Sequence, residues 1–176
     1  MEKEFQGSFT QQEPLSEEAI EAAIKVMRHG RLHRYNVVEN ETSEVALFEQ
    51  DFANKFGAKF CLACASGGYA MTTALRAMGI EFGDKILTNG FTLAPVPGAI
   101  AAAGGEVVFV EVNDDLLIDL SDLERKIISS NSKVLLLSHM RGHICDMDLL
   151  MLLCGKYGVK VVEDCAHTMG AKWNKK

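Results

Sequence analysis

The sequence predicts an α/β fold, a mostly parallel sheet with helices on both faces. From residue 58 onward, short continuous apolar runs alternate with stretches of helical periodicity. Runs of that kind belong to strands covered on both faces, as in parallel sheets, rather than to a half-solvated antiparallel sheet. The chemically unusual residues also lie directly after those runs. Right-handed crossovers place all such segments along one edge of a parallel sheet.

The elements follow in order. SEEAIEAAIKVMRHG reads as a helix: Ser16 caps it, Glu17 and Glu18 sit at its positive end, and Gly30 ends it. Ile20, Ala23, Ile24 and Met27 fall at helical spacing. RLHRYNVVENET is polar and reads as a loop. Its Arg31, His33 and Arg34 suit either an anionic substrate group or plain solvation, with solvation favoured. SEVALFEQDFANKFG is a second amphipathic helix, with Gly57 after it. Then AKFCLACA suits a buried strand, SGGYAMTTALRAMG a turn and helix, DKILTNG a strand, and APVPGAIAAAG a short helix. EVVFVEV, SKVLLLSH and VKVVED complete the strands, and SDLERKIIS and DMDLLMLLCGKYG the helices between them. The chain divides into an N-terminal helix and loop, 1–40, and an α/β domain, 41–176.

The formal net charge of −6 speaks against a nucleic-acid partner, because phosphate contacts need clustered Lys and Arg. The N-terminal residues lack the basic-then-apolar pattern of an export signal, and no apolar run approaches the roughly 20 residues of a bilayer span. Five irregularly spaced cysteines suit reduced thiols in a cytoplasm.

Three segments carry candidate chemistry. In CASGGYAMTTAL a strand gives way to Ser66, Gly67 and Gly68, then to a helix. Glycines permit close backbone approach, and the helix start offers free N–H groups and a positive dipole end, so the turn suits a phosphate. A tight structural turn is the alternative. Phe91 follows the next strand and suits either stacking on a flat ring or core packing, with packing favoured for the residue alone. In VVEDCAH, Asp164 ends a buried strand, where a carboxylate is costly without a cation. A protonated pyridine nitrogen is one such cation, with His167 in reach of the ring's phenolic oxygen; capping of the next segment is the alternative. No metal site is expected. His139, His143 and Cys145 are set aside, as are Cys61 and Cys64, whose spacing inside a strand would point them to opposite faces. Asp146 and Asp148 read as the start of a helix, while Ser138 and Arg141 have no evident role.

An anion cup, an aromatic and a strand-end Asp, in this order along one sheet edge, describe a pyridoxal-phosphate pocket. GDKILTNGFTLAPVPGAIAAAGGEVVFVEV, LLIDLSDLERKI and SHMRGHICDMDLLMLLCGKYGVKVVEDCAHTMGAKWNKK resemble the DegT/StrS-type sugar aminotransferases, over about residue 16 to the end. The resemblance implies the large domain of the aspartate-aminotransferase fold, truncated, with pyridoxal 5'-phosphate (PLP) as cofactor. It implies that Ser66, Gly67 and Gly68 fall on the phosphate turn, with Gly68 where the family has Thr and Tyr69 where it has a small residue. Phe91 falls on the aromatic that covers the ring, Asp164 on the carboxylate that pairs with the ring nitrogen, and His167 on the residue facing the phenolic oxygen. The reaction it implies moves an amino group from an amino-acid donor to a keto-sugar nucleotide or similar ketone, in a cytoplasmic homodimer. Sugar dehydration by a family variant and non-catalytic ligand binding are the alternatives. The family's Schiff-base lysine is expected beyond the matched motif, since Lys172, Lys175 and Lys176 stand too close to it. On that reading the chain is the front part of an enzyme, without its C-terminal domain and inactive alone.

Overall fold

The computed structural model describes residues 7–8 and 12–174, in two compact units, one ending at Leu62 and one beginning at Ala63. The first unit holds helices α1 (Glu17–His29) and α2 (Glu44–Phe56). Each begins where a serine hydroxyl, Ser16 or Ser43, accepts an N–H of the first turn, and each ends at a left-handed glycine, Gly30 or Gly57. Between them Arg31 pairs with Glu41 at 2.7 Å, and Arg34 holds both carboxylate oxygens of Glu49 at 2.8 and 2.6 Å. The two arginines of the polar loop are therefore engaged in local ion pairs.

The second unit runs α3 (Gly67–Ala77), β1 (Lys85–Asn89), α4 (Pro95–Ala103), β2 (Glu106–Val110), α5 (Leu120–Ser130), β3 (Val134–Ser138), α6 (Met147–Tyr157) and β4 (Lys160–Asp164). The four strands are parallel, in the order β2-β1-β3-β4. Side chains alternate between the faces of a strand, and the core divides accordingly. Ile86 of β1 and Val134 and Leu136 of β3 pack with α3 and α4 through Met71, Leu75, Val96 and Ile100. Leu87, Leu135 and Leu137 pack the other way, with α5 and α6 through Leu123, Ile127, Leu150 and Cys154. Gly105, between α4 and β2, permits a close approach: a Cβ there would lie 2.7 Å from Ile86 Cδ1 and 3.1 Å from the Asp84 carbonyl.

One expected strand is absent. AKFCLACA, residues 58–65, forms no ladder among the described residues. Apolar composition suits a buried strand but does not by itself build one, which needs a regular ladder with a neighbouring strand. Cys61 and Cys64 therefore do not lie inside a strand; both are half-buried and in no disulfide.

Candidate active site

The carboxyl edge of the sheet gathers the residues singled out in the sequence. Ser66 caps α3, its hydroxyl accepting the Tyr69 N–H at 3.2 Å. Gly67 and Gly68 open the helix, where the helix itself supplies no partner for their N–H groups. A Cβ on Gly67 would meet nothing within 4 Å, and one on Gly68 only Pro95 Cβ at 3.9 Å. Pro95 opens α4 just after β1, so the serine-glycine turn stands at the carboxyl edge.

Asp164 ends β4, two residues after Val162, which packs on the α3/α4 side. Two residues is one full strand period, so Asp164 belongs to that same face. The half-buried carboxylate accepts the Ser138 hydroxyl at 3.1 Å on one oxygen and the Ala166 N–H at 3.2 Å on the other. The second bond is the capping role foreseen as the alternative, and it leaves further acceptor capacity on both oxygens. Among the described residues no Lys, Arg or His forms an ion pair with Asp164.

His167 is exposed, and its Nδ1 accepts the Arg141 backbone N–H at 3.0 Å. A neutral imidazole that accepts at Nδ1 carries its proton on Nε2, so His167 presents a donor to whatever lies beyond. Arg141 adopts φ 57°, within a 3-10 turn at Met140–Gly142 that follows β3. Phe91 is half-buried and meets the His143 ring edge-on, with centroids 6.0 Å apart and planes at 89°. His143 Nδ1 lies 3.1 Å from the Asp115 carbonyl. The buried Cys145 thiol faces Met147 sulfur at 3.8 Å, and burial pushes its pKa up to about 11. His143 and Cys145 are engaged apart from each other, His143 with Phe91 and the Asp115 carbonyl and Cys145 with Met147. Lys172 is exposed, and Lys175 and Lys176 lie outside the described residues.

The sequence reading missed three supporting residues. Asn89, 3% exposed at the end of β1, donates to the carbonyls of Phe91 and Ser138 at 2.9 and 3.1 Å and accepts the Ser138 N–H at 2.9 Å. It clamps the ends of two adjacent strands. Ser138 in turn orients Asp164, and the Arg141 N–H orients His167. Their only signal in the sequence is position at the ends of strands.

The opposite face carries another group. His139, 3% exposed, has Nε2 at 2.9 Å from Glu163 Oε2. That hydrogen bond holds the Glu163 carboxyl below its usual range, against the opposing effect of burial. Cys165 follows, its thiol pushed up by burial and by the charges of Glu163 and Asp164.

A model of the DegT/DnrJ/EryC1/StrS aminotransferase family matches residues 14–176. The dTDP-3-amino-3,6-dideoxy-alpha-D-galactopyranose transaminase of Aneurinibacillus thermoaerophilus is 39% identical over 134 residues, 76% of this chain and 37% of that protein. The UDP-2-acetamido-2-deoxy-3-oxo-D-glucuronate aminotransferase of Pseudomonas aeruginosa is 30% identical over 158 residues, 89% of this chain and 42% of its own. Among solved structures, S. venezuelae DesV in complex with a ketimine intermediate superposes with TM-score 0.76 at 30% identity, covering 90% of this chain and 42% of that one. The 3-amino-5-hydroxybenzoic acid synthase superposes with TM-score 0.84 at 27% identity, covering 96% and 43%. The chain spans about 40% of the length of the relatives it matches.

Proposed function

This chain belongs to the DegT/DnrJ/EryC1/StrS aminotransferase family, and we propose that it forms part of the cofactor pocket of a PLP-dependent sugar aminotransferase. In this reading residues 41–176 are the front of a PLP-binding domain, and the whole protein works as a cytoplasmic homodimer. It transfers an amino group from an amino-acid donor to a keto-sugar nucleotide or a similar ketone. Among the described residues no helix is long and apolar enough to cross a membrane.

The observation that carries the reading is Asp164: a half-buried carboxylate with no cationic partner among the described residues, on the face of the sheet that packs against α3 and α4. The donors fit the group as well. Gly67 and Gly68 offer N–H groups without a Cβ in the way, at the positive end of an 11-residue helix.

The work of each residue follows from its chemistry. The Ser66–Gly68 turn would bind the phosphate and fix the cofactor's position. Asp164 would hold a proton on the pyridine nitrogen, since a carboxylate beside that nitrogen favours its charged form. Ser138 keeps the carboxylate aimed by donating to one of its oxygens. His167, its tautomer set by the Arg141 N–H, would donate from Nε2 to the phenolic oxygen. Phe91 would cover the ring and exclude water. When bound, PLP supplies an electron sink for the substrate carbon that loses its proton.

The test uses the full-length protein that contains this sequence. With PLP it should absorb in the near-visible, bleach on borohydride reduction, and move 15N from glutamate to a keto-sugar nucleotide. Failure of that protein to bind PLP would sink the reading.

A further inference from the structure

We propose that His139, Glu163 and Cys165 form a binding site for a divalent cation of the zinc class, on the sheet face opposite Asp164. The proposal is independent of the PLP reading. Among the described residues this is the one group of three His, Cys, Asp or Glu side chains whose ligand atoms converge, all within 4.8 Å of one another.

Placement follows from strand geometry. Glu163 lies two residues after Val161, which packs on the α5/α6 side, and Cys165 lies two residues after Glu163. Glu163 therefore shares the face of Val161, and the Cys165 sulfur, just past the end of β4, lies within 4.8 Å of its ligand atom. His139 directly follows Ser138, the partner of Asp164 in the β3–β4 register, so its ring comes alongside from the neighbouring strand. The adjacent pairs divide cleanly: Ser138 meets Asp164 on one face, and His139 meets Glu163 on the other.

The donor set suits zinc. Imidazole nitrogen, carboxylate oxygen and thiolate sulfur bind it at about 2.0–2.3 Å, so ligand atoms around a tetrahedral ion stand about 3.3–3.8 Å apart. His139 Nε2 and Glu163 Oε2 stand at 2.9 Å and need to open slightly. Cys165 needs to close by at most about an ångström, from within 4.8 Å, which a rotation of its side chain supplies. The Glu163 side chain is 46% exposed, which gives the ion an entry path and leaves room for water as a fourth ligand. On binding, the hydrogen bond between His139 and Glu163 is replaced by two metal–ligand bonds. His139 ligates through Nε2 with its proton on Nδ1, and the Cys165 thiol releases its proton to solvent as the sulfur–metal bond forms. Two ligand charges then neutralise the dication.

Co2+ tests the site, because a cobalt–thiolate bond has its own charge-transfer absorption in the near ultraviolet. The 176-residue chain, without a polyhistidine tag, is titrated with Co2+ and then with Zn2+ as competitor, alongside Cys165→Ser, Glu163→Gln, Cys61→Ser and Cys64→Ser. Far-UV circular dichroism checks that each variant is folded. The expected result is one Co2+ per chain, displaced by one Zn2+. The thiolate band should vanish in Cys165→Ser, and Zn2+ binding should weaken at least tenfold there and in Glu163→Gln. The Cys61 and Cys64 variants should bind as the parent does. No stoichiometric binding, or binding and a thiolate band that survive in folded Cys165→Ser, would overturn the proposal.

Discussion

The two faces of the sheet at its carboxyl edge are built from the same pair of strand ends and do different things. On the α3/α4 face, the uncharged Ser138 hydroxyl donates to Asp164, and the carboxylate remains without a cation among the described residues. On the α5/α6 face one residue along, Glu163 already has an imidazole at 2.9 Å. Asp164 accepts two uncharged donors, whereas Glu163 meets an imidazole. Adjacent carboxylates in one sequence motif therefore reach different fates because successive side chains of a strand point to opposite faces.

Truncations in the two cores should have the largest effects. Leu135 and Leu136 are adjacent in β3, both fully buried, and face opposite helix layers. Replacing either with Ala should cost about 2–5 kcal/mol, measured by urea unfolding. A cost confined to one of the two would show that only one layer is packed as described.

Next comes Asp122, a buried carboxylate of α5 that accepts the Glu111 N–H at 2.8 Å and pairs with Arg125. Burial raises its pKa, but the Glu111 hydrogen bond and the Arg125 contact outweigh that and leave it below its ordinary 3.8. A depressed folded-state pKa means the stability is fully present above that ordinary value and lost as pH falls through the lower one. Asp122→Asn should therefore destabilise by about 1–3 kcal/mol at pH 7, and by less at pH 3. Equal losses at both pH values, in paired urea titrations, would show that the charge contributes nothing.

Ser66→Ala is a smaller change, about 1 kcal/mol in the same assay, because it removes the cap on Tyr69 N–H. It sharpens the comparison by also touching the phosphate turn. Phosphate-ester ligands should weaken with it, and Co2+ binding on the opposite face should not. Ser138→Ala should cost a similar amount, roughly 0.5–1.5 kcal/mol, through loss of the bond to Asp164.

Much of this architecture is legible in the sequence. Ser16, read as a helix cap, and Asp146, read as a helix start, each cap a helix in the structure. The four strands of the sheet read as continuous apolar runs. Pairing is what a sequence does not print. Residues 58–65 carry strand composition, yet strand state depends on a hydrogen-bonded neighbour. The roles of Asn89 and Ser138 depend on bonds across 49 and 26 residues of sequence. The hold of Arg141 on His167 passes through a backbone N–H, which any residue would offer. His139 and Glu163 meet across a strand pair that only the register defines. Residues with a local signature can be named as candidates from the sequence, and those defined by partners across the sheet cannot.

The most direct test of the central claim is calorimetric titration of the full-length protein that contains this sequence with pyridoxamine 5'-phosphate, which lacks the aldehyde that reacts with exposed lysines. Wild type, Asp164→Ala and Glu163→Gln are compared. The account predicts saturable one-to-one binding for wild type, at least tenfold weaker binding for Asp164→Ala through loss of a charge-assisted contact, and no change for Glu163→Gln. Equal binding by wild type and Asp164→Ala, or a loss confined to Glu163→Gln, would contradict it.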